Sequence, residues 1–108
     1  MAREVTQEAF AAARAGGALV VDVREADEYA AGHVPGARPM PLRTVPARCG
    51  ELPAGRPVYV ICASGNRSRT AADWMTSRGI DAYSVTGGTG AWARSGGAVT
   101  AGPQEHAT

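Results

Sequence analysis

The sequence predicts one parallel α/β domain, and three observations carry that reading. Two runs of apolar β-formers, "ALVVDV" at 18–23 and "VYVI" at 58–61, are continuous rather than alternating, the pattern of strands covered on both faces. Strand-like runs alternate with helix-compatible stretches along the chain. The length of 108 residues, with 44% hydrophobic and 19% charged content, suits a single globular core.

Residues 3–5 read as a short edge strand. Thr6 can cap the helix after it, because its hydroxyl can accept an orphan backbone N–H. That helix runs through the Ala-rich stretch to about Ala15, where Gly16 and Gly17 end it. The 18–23 strand carries Asp22 near its end, and residues 25–31 form a short helix closed by Gly32. "HVPGARPMPL", 33–42, holds three prolines, which leaves a turn and an extended piece rather than a helix interior. A weak helix is expected at 45–51, a loop at 52–57 and the clearest strand at 58–61. A helix over about 67–78 places Ala71, Trp74 and Met75 on one face, expected to meet the sheet. Gly79 stands where a left-handed cap is wanted, with Ile80 making the apolar contact after it. "AYSV", 82–85, is the last strand. "GGTG", 87–90, turns into a final short helix carrying Trp92. Both Trp74 and Trp92 are expected to be packing residues. After Val99 the chain is polar and patternless, so the domain is expected to span 1–99 with a mobile tail at 100–108.

Composition excludes several classes. The net charge is +1, and all eleven basic residues are Arg. There is no basic surplus to hold a phosphate backbone, so nucleic acid is not an expected partner. The first residues carry charges throughout, unlike a secretory signal, and no stretch approaches membrane-spanning length. The expected address is cytoplasmic, with no membrane partner. Thiols stay reduced there, so Cys49 and Cys62 are expected to be free. With only His33 and His106 beside them, they form no zinc pattern.

The stretch that carries chemistry is "CASGNRS", 62–68. Cys62 ends the clearest strand, at the carboxyl end where sites form in parallel sheets. The loop of Cys62, Ala63, Ser64, Gly65, Asn66 and Arg67 then feeds a helix. Gly65 permits backbone angles that other residues resist, so successive N–H groups can curl into an anion-binding nest. The helix N-terminus adds positive potential, and Arg67 adds formal charge. These features favour thiolate over thiol; comparable settings bring a cysteine pKa from about 8.5 to roughly 3.5–7.5. Cys62 therefore reads as a nucleophile needing no general base.

Three segments, "DVREADEYAAGHVPGA" at 22–37, "CASGNRS" and "GGTGAW" at 87–92, resemble single-domain rhodanese-like sulfurtransferases in order and spacing. The resemblance covers about residues 5–99. It implies a three-layer α/β/α sandwich around a mainly parallel central sheet. It also implies that Cys62 accepts sulfane sulfur as a persulfide from a small donor such as thiosulfate or a thiol persulfide. Cyanide or another thiol then takes the sulfur; a protein donor or acceptor also fits. Loop N–H donors can hold the anionic sulfur without metal or cofactor, and Arg67 can attract a departing anion. Related cysteine phosphatases resemble C-x5-R; the spacing here is C-x4-R, with Ile61 where those usually carry His, which favours sulfur over phosphate. Many active relatives carry a basic residue after the cysteine. Here it is Ala63, which favours a thiol persulfide or protein donor over thiosulfate. The alternative is a rhodanese-like protein-interaction or sulfur-sensing module with little turnover, although such modules often lack the cysteine.

Ala63, Ser64, Gly65, Asn66, Arg67 and Ser68 are thus the candidate substrate-binding loop. By the same resemblance, the Asp22 carboxylate accepts hydrogen bonds near the loop. Arg24 and Glu28 are expected in a structural ion pair or loop tether. His33 is expected to fix the turn at Pro35 and Gly36 by a hydrogen bond. Nothing around Cys49 activates its thiol.

Overall fold

The computed structural model describes residues 3–103. Five strands form one sheet in the order β1 (Arg3–Val5), β5 (Ala82–Val85), β4 (Val58–Ile61), β2 (Leu19–Asp22), β3 (Arg38–Pro39), with every neighbouring pair parallel. The central strand is β4, the apolar run that ends at the cysteine. Its register sets Asp22 opposite Ile61 on one side and Ser84 opposite Val60 on the other.

Successive side chains of a strand point to opposite faces, and both faces here are apolar. Val21, Val58 and Val60 join Met40, Val45, Ala71 and Met75 in one cluster. Val20 and Ile61 join Phe10, Tyr29, Val85 and Trp92 in the other. The helices α3 (Val45–Arg48) and α4 (Asn66–Ser77) cover the first face; α1 (Gln7–Ala15), α2 (Ala26–Ala31) and α5 (Gly88–Arg94) contribute to the second. This is the three-layer α/β/α sandwich. The chain leaves β4 towards α4 on one face, whereas β2 and β5 lead to α2 and α5 on the other. Connections that part in this way leave a crevice at the strand ends, and Cys62 stands there. No helix among the described residues is long and apolar enough to cross a membrane.

Local chemistry explains the element ends. The Thr6 hydroxyl accepts the Ala9 N–H at 3.1 Å, as expected of a cap. Glu25 lies outside α2 as its cap, sharing a reciprocal capping box with Glu28. Residues 45–51 are helical only in pieces: α3 is flanked by 3-10 turns at Leu42–Thr44 and Cys49–Glu51. Pro41 and Pro46 fit only the first turns of helices, so the segment breaks up. Gly79 takes φ +86°, and the Ile80 N–H returns to the Met75 carbonyl at 3.1 Å.

Two side chains are not where the sequence places them. Trp74 is 38% exposed, stacked beneath Arg78, rather than against the sheet. At about 100° per residue, Ser68, Ala71, Ala72 and Met75 share one buried stripe and Trp74 falls on its flank. Trp92 does pack, edge-on to Phe10 at 5.2 Å. The His33 ring does not hold the 35–36 turn: its Nδ1 lies 2.9 Å from the Tyr29 carbonyl, and the two rings stack at 3.7 Å. His33 follows Tyr29 by about one helical turn, so its ring reaches the Tyr29 carbonyl at the end of α2, which also accepts the Gly32 N–H. The stretch expected as a tail begins packed against α2. Thr100 and His33 exchange both backbone hydrogen bonds at 2.9 Å, and the Gly102 N–H reaches the Ala30 carbonyl. Residues 104–108 of that expected tail lie outside the described residues.

Candidate active site

Cys62 is 1% exposed, and its sulfur sits in a ring of donors. The Gly65 N–H donates to Sγ at 3.1 Å and the Ser68 N–H at 3.3 Å, and the Ser68 hydroxyl lies 3.4 Å away. The loop closes this way because Gly65 adopts φ +113°, turning the following N–H groups inward. Gly65 caps α4, so the Ser68 N–H lies in the first turn, where backbone donors have no intrahelical partner. Burial pushes the thiol pKa up. The Ser68 hydroxyl, then the N–H groups of Ser68, Gly65 and Ser64, pull it down, and the donors win.

The loop is also stitched from behind. The Thr89 N–H donates to the Cys62 carbonyl at 2.7 Å, and the Gly90 N–H to the Ala63 carbonyl at 3.1 Å. A Cβ on Gly88 would lie 2.3 Å from the Cys62 carbonyl oxygen. Sequence reading takes "GGTG" only as a turn; the backbone-to-backbone approach that demands glycine comes from a remote strand. Ser84 is likewise missed. It is a fully buried hydroxyl on β5, 2.7 Å from the Ser68 hydroxyl. Its only sequence signal is a small polar residue inside an otherwise apolar strand.

Of the loop residues singled out in the sequence, Ser64, Gly65 and Ser68 surround the sulfur. Ala63 contributes its carbonyl to the α5 contact. Asn66 is exposed and its side-chain oxygen accepts from Arg69 at 2.6 Å, so it braces the helix start. Arg67 is already paired. Its guanidinium, expected to attract the donor's anion, makes a two-pronged pair with Glu28 of α2 at 2.7 and 2.9 Å. A carboxylate across a short gap matches the arginine fork and takes both prongs. Arg24 is engaged too, but with Asp22 rather than Glu28. The Asp22 carboxylate accepts from the Arg24 backbone N–H, Nε and Nη2, and Arg24 also reaches the Gly32 carbonyl. Asp22 thereby fixes the turn that follows β2, beside the loop. A cleft of about 330 Å³ opens next to Ala63, bounded by Arg24, Glu28, Gly32, Thr89 and Val99.

The sequence model of the rhodanese-like domain family matches residues 6–95, most of the chain. The chain belongs to the rhodanese-like domain family. Solved structures agree. A rhodanese-related protein from Thermoplasma volcanium is 26% identical with a TM-score of 0.85, covering 91% of this chain and 97% of its own. A rhodanese-like domain protein from Staphylococcus aureus is 30% identical with a TM-score of 0.78, covering 83% and 90%. A rhodanese homolog from Thermus thermophilus is 35% identical with a TM-score of 0.63, covering 80% and 95%.

The rhodanese-like domain carries a pH signature in the tether between α2 and the loop. The Arg67 hydrogen bonds hold the Glu28 pKa down to about 2. A carboxylate depressed in the folded state contributes stability above its unfolded pKa of about 4.3, and that contribution is lost as pH falls through the folded value. Glu28→Gln is therefore expected to lower the urea midpoint at pH 7. The gap to the parent should shrink below about pH 4 and close near pH 2. A gap unchanged between pH 7 and pH 2 would show that the pair contributes nothing through charge.

Proposed function

We propose that this rhodanese-like domain is a sulfurtransferase that carries sulfane sulfur on Cys62. The observation behind this reading is the donor ring: N–H groups and a hydroxyl converge on a buried sulfur, and among the described residues no His or carboxylate is hydrogen-bonded to it. A persulfide is anionic and soft, and such a ring stabilises it by charge-assisted hydrogen bonds. The Cys62 thiolate attacks the outer sulfur of the donor. A Cys–S–S bond forms, the donor's S–S bond breaks, and its electron pair leaves on a thiolate, or on sulfite if the donor is thiosulfate. The acceptor then attacks the outer sulfur, the new S–S bond breaks, and the thiolate returns. The two steps balance without an external oxidant.

A thiol persulfide is the favoured donor. Thiosulfate offers a sulfonate that wants a free cation, yet Arg67 and Arg24 are each held by a carboxylate and Ala63 brings none. The cleft beside Ala63 suits the uncharged part of a small thiol or the carrier segment of a protein.

Intact-protein mass spectra after mixing with glutathione persulfide, and separately with thiosulfate, test the carrier step. The expected result is a gain of one sulfur mapped to Cys62, faster from the persulfide, and its loss on adding cyanide. No gain from either donor, in folded protein with Cys62 free, would overturn the reading in favour of a binding or sensing module.

A further inference from the structure

The Ser68 hydroxyl has one proton and three neighbours: Cys62 Sγ at 3.4 Å, the Gly65 carbonyl at 3.1 Å and the Ser84 hydroxyl at 2.7 Å. The carbonyl can only accept, and so can an ionised sulfur. The direction of the Ser84–Ser68 bond therefore decides what Ser68 offers the sulfur. If Ser68 donated to Ser84, the thiolate would lose its hydroxyl donor. Ser84 is fully buried, and among the described residues the Ser68 oxygen is its one side-chain hydrogen-bond partner. A buried O–H left without an acceptor is strongly disfavoured, so Ser84 donates and Ser68 accepts. The Ser68 proton is then free to turn between the Gly65 carbonyl and Sγ. When it turns to Sγ, the Gly65 carbonyl keeps the Arg69 N–H at 3.3 Å. Nothing buried is orphaned in either state.

We propose that Ser84 is a positioning residue for sulfur transfer, its hydroxyl directing the Ser68 hydroxyl as a donor onto the Cys62 sulfur. This relay rests on the reading of Cys62 as the sulfur carrier and adds to it a residue from a different strand. The relay polarises the Ser68 O–H, and chained hydrogen bonds strengthen one another. Charged groups near the sulfur are the Arg67–Glu28 pair, from α4 and α2, and the Asp22–Arg24 pair at the end of β2; neither contacts Ser84.

The test is a cycle of Ser68→Ala, Ser84→Ala and the double variant, in the full chain. Thiolate absorbance near 240 nm is titrated with pH, with the Cys62→Ser signal subtracted to remove Cys49. Sulfur loading from glutathione persulfide is timed in parallel. Ser84→Ala is expected to raise the thiolate midpoint by about half a unit and slow loading roughly fivefold, the value of one net hydrogen bond. Adding it to Ser68→Ala is expected to change nothing further. An unchanged midpoint and rate in Ser84→Ala overturns the proposal; so does an equal loss in both backgrounds, which marks a purely structural role. Should Ser84→Ala fail to fold, Ser84→Cys keeps the packing with only a weak donor; with its own Cys62→Ser blank to remove Cys49 and the added thiol, and with loading mapped to Cys62, it carries the same comparison. The titration needs no turnover. If the parent never loads sulfur, the carrier reading fails while the relay is still judged by the midpoints.

Discussion

Cys62→Ser is expected to abolish sulfur loading and turnover while leaving the fold in place. A serine hydroxyl is not ionised at neutral pH and forms no persulfide, so the loss should be at least roughly a thousandfold, as for other nucleophile removals. The structure should tolerate the change. Oxygen is smaller than sulfur but still accepts from the N–H groups of Gly65 and Ser68, so no buried donor is stranded. A near-isosteric swap of this kind costs under about 1.5 kcal/mol, or several degrees of melting temperature in a domain this size. The same variant exposes the pH linkage of the site. The folded-state pKa of Cys62 lies below its ordinary value. The thiolate thus stabilises the fold fully above the unfolded pKa of about 8.5, and this is lost as pH falls through the lower folded value. Parent stability relative to Cys62→Ser should therefore rise as pH climbs through that window, which urea midpoints at pH 6 and pH 9 can show. Retained turnover in the variant would remove Cys62 from the mechanism.

Gly88→Ala is expected to damage both stability and activity, although Gly88 is far from Cys62 in sequence and is not a sulfur ligand. The added methyl would meet the Cys62 carbonyl oxygen at 2.3 Å and the Ala63 carbonyl at 2.7 Å, both rigid backbone. Relief requires the loop and α5 to separate, breaking the bonds from Thr89 to Cys62 and from Gly90 to Ala63. Together with the strain of alanine at φ +59°, the cost should exceed about 3 kcal/mol. A loop displaced by about 1 Å should lose roughly a hundredfold in loading rate. Gly36→Ala is the control. Gly36 also has a positive φ, +87°, but its methyl would meet nothing within 4 Å, so only the backbone strain of about 1–2 kcal/mol applies. Equal denaturant midpoints for the two variants would show that the close approach at Gly88 is relieved without cost.

Much of this molecule is legible along the chain because the relevant physics is local. The run 58–61 reads as a buried strand from its apolar continuity; Thr6 starts α1 and Gly79 stops α4 by bonds spanning only a few residues. The cysteine loop is legible for the same reason. Cys62, Gly65 and Ser68 are close in sequence, and one glycine conformation suffices to turn the Gly65 and Ser68 N–H groups onto the sulfur.

What consecutive residues cannot specify is the partner across a gap. Arg67 looks like a free cation until α2 brings Glu28 against it. Ser84 and Gly88 acquire their roles only because β5 lies beside β4 in the sheet, setting a hydroxyl behind Ser68 and a backbone against the Cys62 carbonyl. The sequence by itself determined the buried strands, their alternation with helices and the cysteine loop, since propensity, capping and nest formation act over a few bonds. The tertiary structure decided which charges are spent and which remote groups support the sulfur, since hydrogen bonds and steric contacts act over a few ångströms in space, whatever the separation along the chain.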